Sequence, residues 1–374
     1  MKILVTGGGT GGHIYPALAL IKRMKAMNDD IEFLYVGTER GLESTIVPNY
    51  TIPFKALKVE GFKRKLNFEG IKYNLKTIGY FIQSIRKSKK IIDEFSPDAV
   101  IGTGGYVSAP VCYAAAKKGI PTVIHEQNSV AGITNKFLAR YVSAIAICFK
   151  DAENQFKGHE NKIVFTGNPR AQEVADIQAN DSLQTFKLNP KQPTVLIFGG
   201  SRGAAAINKT VIDHCQAFVE ADYQVLFVTG REHYEDLSEK WKSSCGLEEE
   251  HSKVSIVPYI EDLPSVFASV SLVVSRSGAT TLAELTALGV PSVLIPSPNV
   301  TEDHQTKNAR SLSEAGAAEL IREDELNSSK FIETVNRLMS DEGMRNDMAA
   351  KAKQLGVPDA SDKIIHLLMT LLNG

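Results

Sequence analysis

The sequence contains few cysteines, no long apolar run and no excess of charge of either sign. The four cysteines lie far apart and include no Cys-x-x-Cys pair, so the ligand spacing of a zinc site is absent. We expect reduced thiols in or near the core at all four positions: Cys112, Cys148, Cys215 and Cys245. With 42 basic and 43 acidic residues the net charge is -1, which argues against a nucleic-acid-binding protein.

The sequence also lacks the features of membrane-spanning and exported proteins. The sequence has no run of about 18 apolar residues, and its first stretch, MKILVTGGG, lacks the apolar core of a signal peptide. We therefore expect a cytoplasmic protein, and contact with a membrane surface stays open. A chain of 374 residues, 43% hydrophobic and 23% charged, is typical of a folded protein and excludes a disordered one. Its length favours about two to three domains.

Short apolar strands alternate with helical patterns, which predicts an α/β fold with parallel sheets covered on both faces. The second half repeats the plan of the first: GIPTVI at 119–124 has the same pattern as GVPSVL at 289–294. We expect two Rossmann-like domains, 1–166 and 167–357, because the Gly-Asn-Pro run after Thr166 interrupts regular structure. An amphipathic helix is predicted over about 358–374, and it could pack back on the first domain.

Three glycine-rich stretches follow predicted strands: GGGTGG at 7–12, GTGGY at 102–106 and GGSRG at 199–203. Glycine lets the backbone turn tightly and lets a phosphate approach the amides at a helix start. We therefore expect ligand-binding loops at the strand ends of both domains, with tight turns that bind nothing as the alternative. A dinucleotide site is disfavoured, because only Glu39, just past the second strand, could serve as its acidic residue.

Residues beside these loops are candidates for chemistry. His13 lies at a predicted helix N-terminus, which favours a neutral imidazole that could act as a general base. The alternative is that His13 is a residue of the first helical turn with no functional role. Small residues at 277–281, at a predicted helix start, leave the backbone amides free to donate to a diphosphate. Glu284 follows one turn later, where its carboxylate either accepts hydrogen bonds from ribose hydroxyls or stabilises the helix dipole. Arg170 either neutralises a diphosphate or is a surface charge.

Residues 61–90 hold nine basic residues and one acid, with isoleucine and leucine at helical spacing. This pattern predicts a basic amphipathic helix suited to an anionic membrane surface. The alternative is an apolar stripe packed on the core with a solvated basic face. The basic residues are Lys63, Arg64, Lys65, Lys72, Lys76, Arg86, Lys87, Lys89 and Lys90. No Asp-x-Asp motif follows a strand, so we expect neither a metal ion nor another cofactor.

The motifs GGGTGGHIYPALAL, GTGGYVSAP, HEQN, GNPR, GGSRGA, SRSGATTLAEL and HQTKNA occur in this order over about residues 1–310. On these motifs the chain closely resembles the MurG family of peptidoglycan N-acetylglucosaminyltransferases. The resemblance implies the GT-B glycosyltransferase fold, with two Rossmann-like domains facing across a cleft. It also implies inverting transfer of N-acetylglucosamine from UDP-N-acetylglucosamine (UDP-GlcNAc) to the 4-hydroxyl of undecaprenyl-diphosphoryl-N-acetylmuramoyl-pentapeptide (lipid I), giving lipid II and UDP.

The resemblance further implies partners and site residues. The implied partners are UDP-GlcNAc, the polyprenyl-diphosphate-linked muramoyl peptide, an anionic inner-leaflet surface and cell-wall synthesis proteins, at the cytoplasmic face of the cell membrane. His13 and Glu126 are the implied catalytic residues, and the acceptor side is implied for Gly104, Gly105 and Tyr106. The implied donor contacts are Thr10, Gly11, Gly12, Asn128, Arg170, Ser201, Ile260, Ala279, Thr280, Thr281, Glu284 and Gln305.

Two positions depart from the family pattern. His304 precedes Gln305 where some members have two glutamines, and Arg202 in the third glycine-rich stretch has no implied role. Other functions stay open beside the main one. A diacylglycerol glucosyltransferase or a UDP-GlcNAc 2-epimerase would share the donor half, a dinucleotide-binding oxidoreductase would share the opening glycines, and a nucleotide-sensing module would bind UDP without turnover.

Overall fold

The chain folds into two units, each built on a parallel sheet. The computed structural model describes residues 1–60, 68–200, 202–245, 253–326 and 329–373. Unit 1 comprises Met1–Glu173 and Asp359–Gly374, and unit 2 comprises Val174–Pro358. Unit 1 therefore extends beyond the predicted boundary at Thr166 and also includes the C-terminal segment.

The sheet of unit 1 has the order β3-β2-β1-β4-β5-β6-β7, with every described pair parallel. Its strands are β1 (Lys2–Gly7), β2 (Glu32–Thr38), β3 (Phe54–Leu57), β4 (Ala99–Gly104), β5 (Thr122–Glu126), β6 (Ala144–Ile147) and β7 (Ile163–Phe165). The strand order reverses between β1 and β4, and open α/β sheets bind ligands at the carboxyl ends of strands at such a switch point.

Helices cover both faces of this sheet, as the uniformly apolar strands predict. They are α1 (Gly11–Met27), α2 (Glu43–Ile46), α3 (Phe68–Phe95), α4 (Ser108–Lys117), α5 (Ile133–Leu138) and α6 (Pro169–Val174). Buried residues of α1 pack on one face of the sheet, and buried residues of α4 and α5 pack on the other.

The sheet of unit 2 repeats this plan with the order β10-β9-β8-β11-β12-β13, again parallel in every described pair. Its strands are β8 (Thr194–Phe198), β9 (Gln224–Val228), β10 (Val254–Val257), β11 (Leu272–Ser275), β12 (Ser292–Leu294) and β13 (Glu319–Leu320). The strand order reverses between β8 and β11. Strand β8 leads into the GGSRGA motif, and strand β11 leads into the SRSGATTLAEL motif.

The helices of unit 2 are α7 (Ala205–Asp213), α8 (Cys215–Glu220), α9 (Tyr234–Cys245), α10 (Leu263–Phe267), α11 (Ala279–Leu288), α12 (His304–Glu314), α13 (Lys330–Ser340) and α14 (Glu342–Leu355). Short 3-10 helices lie at Val47–Tyr50, Lys150–Gln155, Glu160–Lys162, Asp181–Phe186, Thr301–Asp303 and Glu323–Glu325. Within the described ranges, no helix combines the length and the apolar character needed to cross a membrane.

The expectation of four reduced thiols is wrong for two of the cysteines. Cys215 and Cys245 form a disulfide, with their Cα atoms 6.3 Å apart. The two residues are 30 positions apart in sequence, but both pack in the same apolar cluster of unit 2, which brings their side chains within bonding distance. Cys112 and Cys148 are free thiols, as expected.

The last helix, α15 (Ala360–Asn373), packs against α1 within unit 1. Asp362 holds it there, because its carboxylate accepts from Nε and Nη2 of Arg23 at 2.7 and 2.9 Å and from Nε2 of Gln172 at 2.7 Å. The backbone N–H of Asp362 in turn donates to Oε1 of Gln172 at 3.0 Å. These bonds tie α6 to unit 1, which explains why the unit continues past Thr166.

We expect this contact to contribute stability that depends on pH. The hydrogen bond from Arg23 holds the pKa of Asp362 below its usual value, so the contribution is present above the unfolded-state pKa and is lost as pH falls through the lowered folded-state pKa. Arg23→Ala should lower the Tm of unit 1 at pH 7 by about 1–4 °C, since an exposed pair contributes up to about 1 kcal/mol.

Thermal unfolding of both proteins between pH 7 and pH 3 measures this contribution. The Tm difference should begin to shrink as pH falls below about 4, where an unfolded-state aspartate starts to be protonated, and should shrink further as pH falls through the lowered pKa of folded Asp362. Lys240→Ala, which removes an exposed pair with Asp236 in unit 2, is the matched control. Equal Tm values for Arg23→Ala and the parent at pH 7 would contradict a stabilising role.

Candidate active site

Two glycine loops meet at the switch point of unit 1. The loop after β1 donates from the N–H of Gly8 to the carbonyl oxygen of Gly104, at the end of β4, over 3.2 Å. Gly105 has a φ of +83°, and an added Cβ would lie 2.3 Å from the carbonyl oxygen of Gly8. Both conformation and space therefore require glycine at position 105.

His13 lies in the first turn of α1 beside this junction. Its Nδ1 is 2.8 Å from the carbonyl oxygen of Gly8. Because a carbonyl oxygen only accepts, we assign the imidazole proton to Nδ1, which leaves the lone pair of neutral His13 on Nε2. The hydroxyl of Thr103, in β4, donates to the backbone carbonyl of His13 at 2.7 Å and fixes the start of the helix.

Gly104 makes room for this imidazole. A Cβ at position 104 would lie 2.7 Å from Cδ2 and 2.9 Å from Nε2 of His13. Thr10, at the N-cap of α1, and Tyr106, before α4, are both exposed at the same edge. The structure thus brings together His13 and the residues predicted for the acceptor side, while Gly11 and Gly12 form the start of α1.

Glu43 is a residue of this edge that the sequence did not point to. Its side chain is fully buried at the start of α2, and its carboxylate accepts from the N–H of Gly9 at 2.9 Å. The same carboxylate accepts from the N–H and the hydroxyl of Thr38 at 2.8 and 2.6 Å. The sequence directed attention to Glu39 instead; the glycines at 37 and 41, which flank the end of β2, were the available signal for a group packed against the backbone.

Glu126 has its carboxylate occupied by local donors. It accepts from the N–H of Asn128 at 3.1 Å, from the N–H of Gly132 at 2.9 Å and from Nδ2 of Asn135 at 2.8 Å. With 2% of its surface exposed, Glu126 shapes the loop that carries Asn128. Its implied catalytic role, like the donor contact of Asn128, stays a prediction.

His125 in the same motif is buried and neutral. Nε2 of Gln127 donates to Nδ1 of His125 at 2.9 Å, so His125 carries its proton on Nε2, which lies 3.0 Å from the carbonyl oxygen of Gly167. Burial lowers the pKa of His125 to about 4. The ring therefore serves to hold the end of β7 beside β5, and it cannot take up a proton near pH 7.

Arg170, predicted at a diphosphate, lies at the start of α6. Its guanidinium forms an ion pair with Glu173, which also binds Nζ of Lys22 at 3.0 Å. The guanidinium carbon is 5.9 Å from the ring centroid of Tyr15. Arg170 is thus held against α1 within unit 1, and contact with a ligand stays a prediction.

In unit 2 two loops also approach each other closely, but they follow the neighbouring strands β8 and β9 and do not lie at the switch point between β8 and β11. Gly203 has a φ of +76°, and an added Cβ would lie 2.1 Å from the carbonyl oxygen of Thr229. Ser201, predicted in this loop, lies outside the described residues, and Arg202 is exposed. The loop after β11 leads into α11, whose N-cap, Gly278, provides no side-chain cap. The first amides of α11 are therefore available to an anion.

The other predicted donor residues gather around this helix start. Ala279 is buried, Thr280 and Thr281 are partly exposed, and Glu284 is 6% exposed one turn further on. The hydroxyl oxygen of Thr280 is buried without a hydrogen-bond partner in the described part of the chain. Gln305 joins the group, because its backbone carbonyl accepts from the hydroxyl of Ser277 at 2.8 Å and its Oε1 accepts from the N–H of Ser297 at 2.9 Å.

Two residues flank this group. The side chain of Ile260 packs in the core, with 7% of its surface exposed, so only its backbone could meet a ligand. His304 begins α12, and its Nδ1 lies 2.8 Å from the carbonyl oxygen of Thr301. Because a carbonyl only accepts, the Nδ1–H of His304 is used within the protein, which leaves Nε2 for any other contact.

Comparison with known families and proteins shows what the chain is similar to. Residues 3–147 match the glycosyltransferase family 28 N-terminal domain, and residues 194–364 match its C-terminal domain. The chain is 53% identical to a UDP-N-acetylglucosamine–N-acetylmuramyl-(pentapeptide) pyrophosphoryl-undecaprenol N-acetylglucosamine transferase of Latilactobacillus sakei, over 99% of this chain and 100% of that one. The enzyme of the same name from Bacillus subtilis is 51% identical, with 99% of both chains covered.

Solved structures agree with these relatives. Acinetobacter baumannii MurG superimposes with a TM-score of 0.77 at 26% identity, covering 99% of each chain. A UDP-GlcNAc 2-epimerase of Neisseria meningitidis gives a TM-score of 0.68 at 17% identity, covering 99% of this chain and 100% of that one, and shows a shared fold alone. The predicted GT-B class of two parallel-sheet domains is confirmed.

The contact between Gly104 and His13 leads to a structural prediction. Gly104→Ala should displace the imidazole, because the new Cβ overlaps it, and should also cost about 1–2 kcal/mol for alanine at positive φ. Nitrogen-15 NMR of labelled histidine should show the Nδ1–H tautomer of His13 in the parent protein and its loss in the variant.

Gly119→Ala is the matched control. Gly119 also has a positive φ, +76°, but an added Cβ there meets nothing within 4 Å. It should lose similar stability and keep the His13 signal. If Gly104→Ala leaves the tautomer of His13 unchanged, the assigned packing is wrong.

Proposed function

The chain belongs to the family of UDP-N-acetylglucosamine–N-acetylmuramyl-(pentapeptide) pyrophosphoryl-undecaprenol N-acetylglucosamine transferases, and on that basis we propose how its residues carry out the reaction. The enzyme transfers N-acetylglucosamine from UDP-GlcNAc to lipid I and forms lipid II in peptidoglycan synthesis. In the proposed mechanism, unit 1 holds the acceptor and the general base, and unit 2 holds the donor.

His13 is the proposed general base. The 4-hydroxyl oxygen of the acceptor attacks the anomeric carbon of the donor sugar, the bond from that carbon to the diphosphate oxygen breaks, and the hydroxyl proton passes to Nε2 of His13. One displacement turns the α-linked donor into a β-linked product. The observation that carries this assignment is the 2.8 Å contact between Nδ1 and the carbonyl of Gly8, because it commits Nδ1 to the proton and leaves Nε2 as acceptor.

Each unit supplies amide donors for one substrate in this proposal. The glycine loops of unit 1, with Gly104, Gly105 and Tyr106, take the acceptor's diphosphate and sugar. Unit 2 takes the UDP moiety, whose departing charge is stabilised by amides at the start of α11. Arg170 would add positive charge there, and to do so its guanidinium must share or leave Glu173.

The function is tested by transfer of labelled N-acetylglucosamine to a short-chain lipid I analogue. We expect transfer from UDP-GlcNAc in preference to UDP-glucose and UDP-galactose. His13→Ala should lower kcat by about 10²–10⁴-fold, the usual contribution of a general base, and leave UDP binding unchanged because the proposed UDP site lies in unit 2.

Controls separate the alternatives. His366→Ala, at an exposed position of α15, should keep the parent rate. Diacylglycerol as acceptor tests the glucosyltransferase, and conversion of UDP-GlcNAc alone tests the epimerase. Full turnover by His13→Ala would refute the base assignment; donor binding without transfer to the lipid I analogue would refute the proposed acceptor.

We also propose that unit 1 docks on an anionic membrane, at the cytoplasmic face. An aromatic cluster joins α3, α4 and the α5 region: the ring centroids of Phe81 and Phe137 are 6.2 Å apart, and those of Tyr113 and Tyr141 are 4.9 Å apart. Nζ of Lys117 lies 5.0 Å from the Tyr141 ring centroid. Rings with a polar tip beside cations suit the headgroup region of a membrane.

The exposed side of α3 supports this proposal. Ser84 and Ser88 are buried, while Ile82, Arg86 and Lys87 are exposed. The helix also packs Ile85 and Ile92 against the core of unit 1, as a core-facing apolar stripe would. Its exposed side carries an isoleucine and cations, which suit an anionic membrane surface. Lys63, Arg64 and Lys65 lie outside the described residues, as do the side chains of Lys72 and Lys76.

Binding to vesicles with and without anionic lipid tests this docking. Replacing four exposed cations of unit 1 by alanine (Arg86, Lys87, Lys117 and Arg140) should weaken binding on the order of 1,000-fold, since each contributes about 1 kcal/mol. The control replaces four exposed lysines of unit 2: Lys209, Lys240, Lys330 and Lys351. Equal losses in both variants would show a general charge effect and refute this face.

A further inference from the structure

Glu43 is a fully buried carboxylate that the proposed reaction does not use. Its donors are the N–H of Gly9 and the N–H and hydroxyl of Thr38, over 2.6–2.9 Å. Burying a carboxylate costs free energy that its hydrogen bonds only offset. A role in placing the neighbouring groups would explain why an acid occupies this position.

The backbone is shaped to admit this side chain. An added Cβ at Gly8 or Gly41 would lie 2.3 Å from an oxygen of Glu43, and one at Gly37 would lie 2.5 Å from its Cγ. None of these three glycines has a positive φ. Space for the carboxylate, and not backbone conformation, is therefore what requires glycine at these positions.

The carboxylate and the imidazole of His13 hold opposite sides of one peptide group. The carbonyl of Gly8 and the N–H of Gly9 belong to the same planar peptide. Glu43 accepts from that N–H at 2.9 Å, and Nδ1–H of His13 donates to that carbonyl at 2.8 Å. The sequence of bonds runs from carboxylate to peptide to imidazole, and hydrogen bonds in such a chain polarise one another.

We infer that Glu43 is a positioning residue that acts on His13 through the Gly8–Gly9 peptide, an inference that rests on the proposed role of His13 as base. Glu43 holds the peptide so that its carbonyl fixes the Nδ1–H tautomer and the direction of Nε2. Its negative charge favours the imidazolium that forms when the acceptor hydroxyl loses its proton. The arrangement resembles an Asp–His pair in a hydrolase with a peptide inserted between the two side chains.

Two ionisable groups near this peptide, Tyr35 and His125, carry no charge near pH 7. Tyr35 is buried beside it, and burial together with Glu43 raises the pKa of its hydroxyl, which donates to the carbonyl of Gly7 at 2.9 Å. Burial lowers the pKa of His125, which interacts electrostatically with His13, to about 4, so His125 is neutral.

Glu43→Gln tests the inference with little change of shape. Glutamine has one carbonyl oxygen, so its NH₂ group must face either Gly9 N–H or the donors of Thr38. We expect kcat for transfer to the lipid I analogue to fall about 10–100-fold, as is usual when a metal-bound histidine loses the partner that orients it. UDP binding should not change, since the proposed UDP site lies in unit 2.

A double-mutant cycle with His13→Ala distinguishes this role from a merely structural one. If Glu43 acts through His13, Glu43→Gln should cause no further loss of kcat once His13 is alanine. Additive losses would overturn the inference. If Glu43→Gln keeps the kcat of the parent enzyme while His13→Ala loses activity, the inference is wrong and the base assignment stands. If His13→Ala keeps the kcat of the parent enzyme, the base assignment itself is wrong.

Thr38→Val is the matched control. It removes a hydroxyl donor from the same carboxylate but leaves the contact with Gly9, so kcat should stay close to the parent value. A loss equal to that of Glu43→Gln would show that loop packing, and not the peptide contact, matters. If Glu43→Gln does not fold, Glu43→Asp serves as the second test. Its shorter side chain should withdraw from the N–H of Gly9 and lower kcat. A kcat equal to that of the parent enzyme, with an unaltered His13 NMR signal, would overturn the inference.

Discussion

The chemistry of unit 1 depends on how closely the loop after β1 approaches the loop after β4. Gly8 and Gly104 are joined by a 3.2 Å backbone hydrogen bond, and Gly105 has no room for a side chain against Gly8. At a switch point the connections after two neighbouring parallel strands leave in opposite directions, so the last backbone groups of both strands lie at the edge of a crevice. The glycines let these groups bind one another and the first turn of α1, and His13 takes its orientation from that junction.

Unit 2 also contains a close approach of two loops, but at a different place in its sheet. The loops after the neighbouring strands β8 and β9 meet there, with Gly203 against Thr229. Where unit 1 has a histidine and a buried acid, unit 2 has the uncapped start of α11 and small side chains. An uncapped helix start binds an anion without taking part in proton transfer. Under the proposed function, one fold plan therefore carries the general base in one unit and the anion-binding helix start in the other.

Two further polar clusters position this machinery without belonging to it. Neutral His125 links β5 to Gly167, at the end of β7. Asp362 ties α15 and Gln172 to Arg23 of α1. The first holds the segment that leads out of unit 1 against the sheet. The second holds that segment and α15 against the helix that carries His13.

The two α/β domains, the glycine loops at strand ends and the position of His13 could all be predicted from the sequence, because strand, turn and helix signals are local. The sequence did not reveal Glu43, since the acid nearest the end of β2 along the chain is Glu39 and only packing turns Glu43 under Gly9. It did not reveal the Cys215–Cys245 bond, which arises when residues 30 positions apart enter one core. The saturated carboxylate of Glu126 and the end of unit 1 at Glu173 were likewise decided by tertiary structure, because hydrogen bonds between distant segments leave no local pattern.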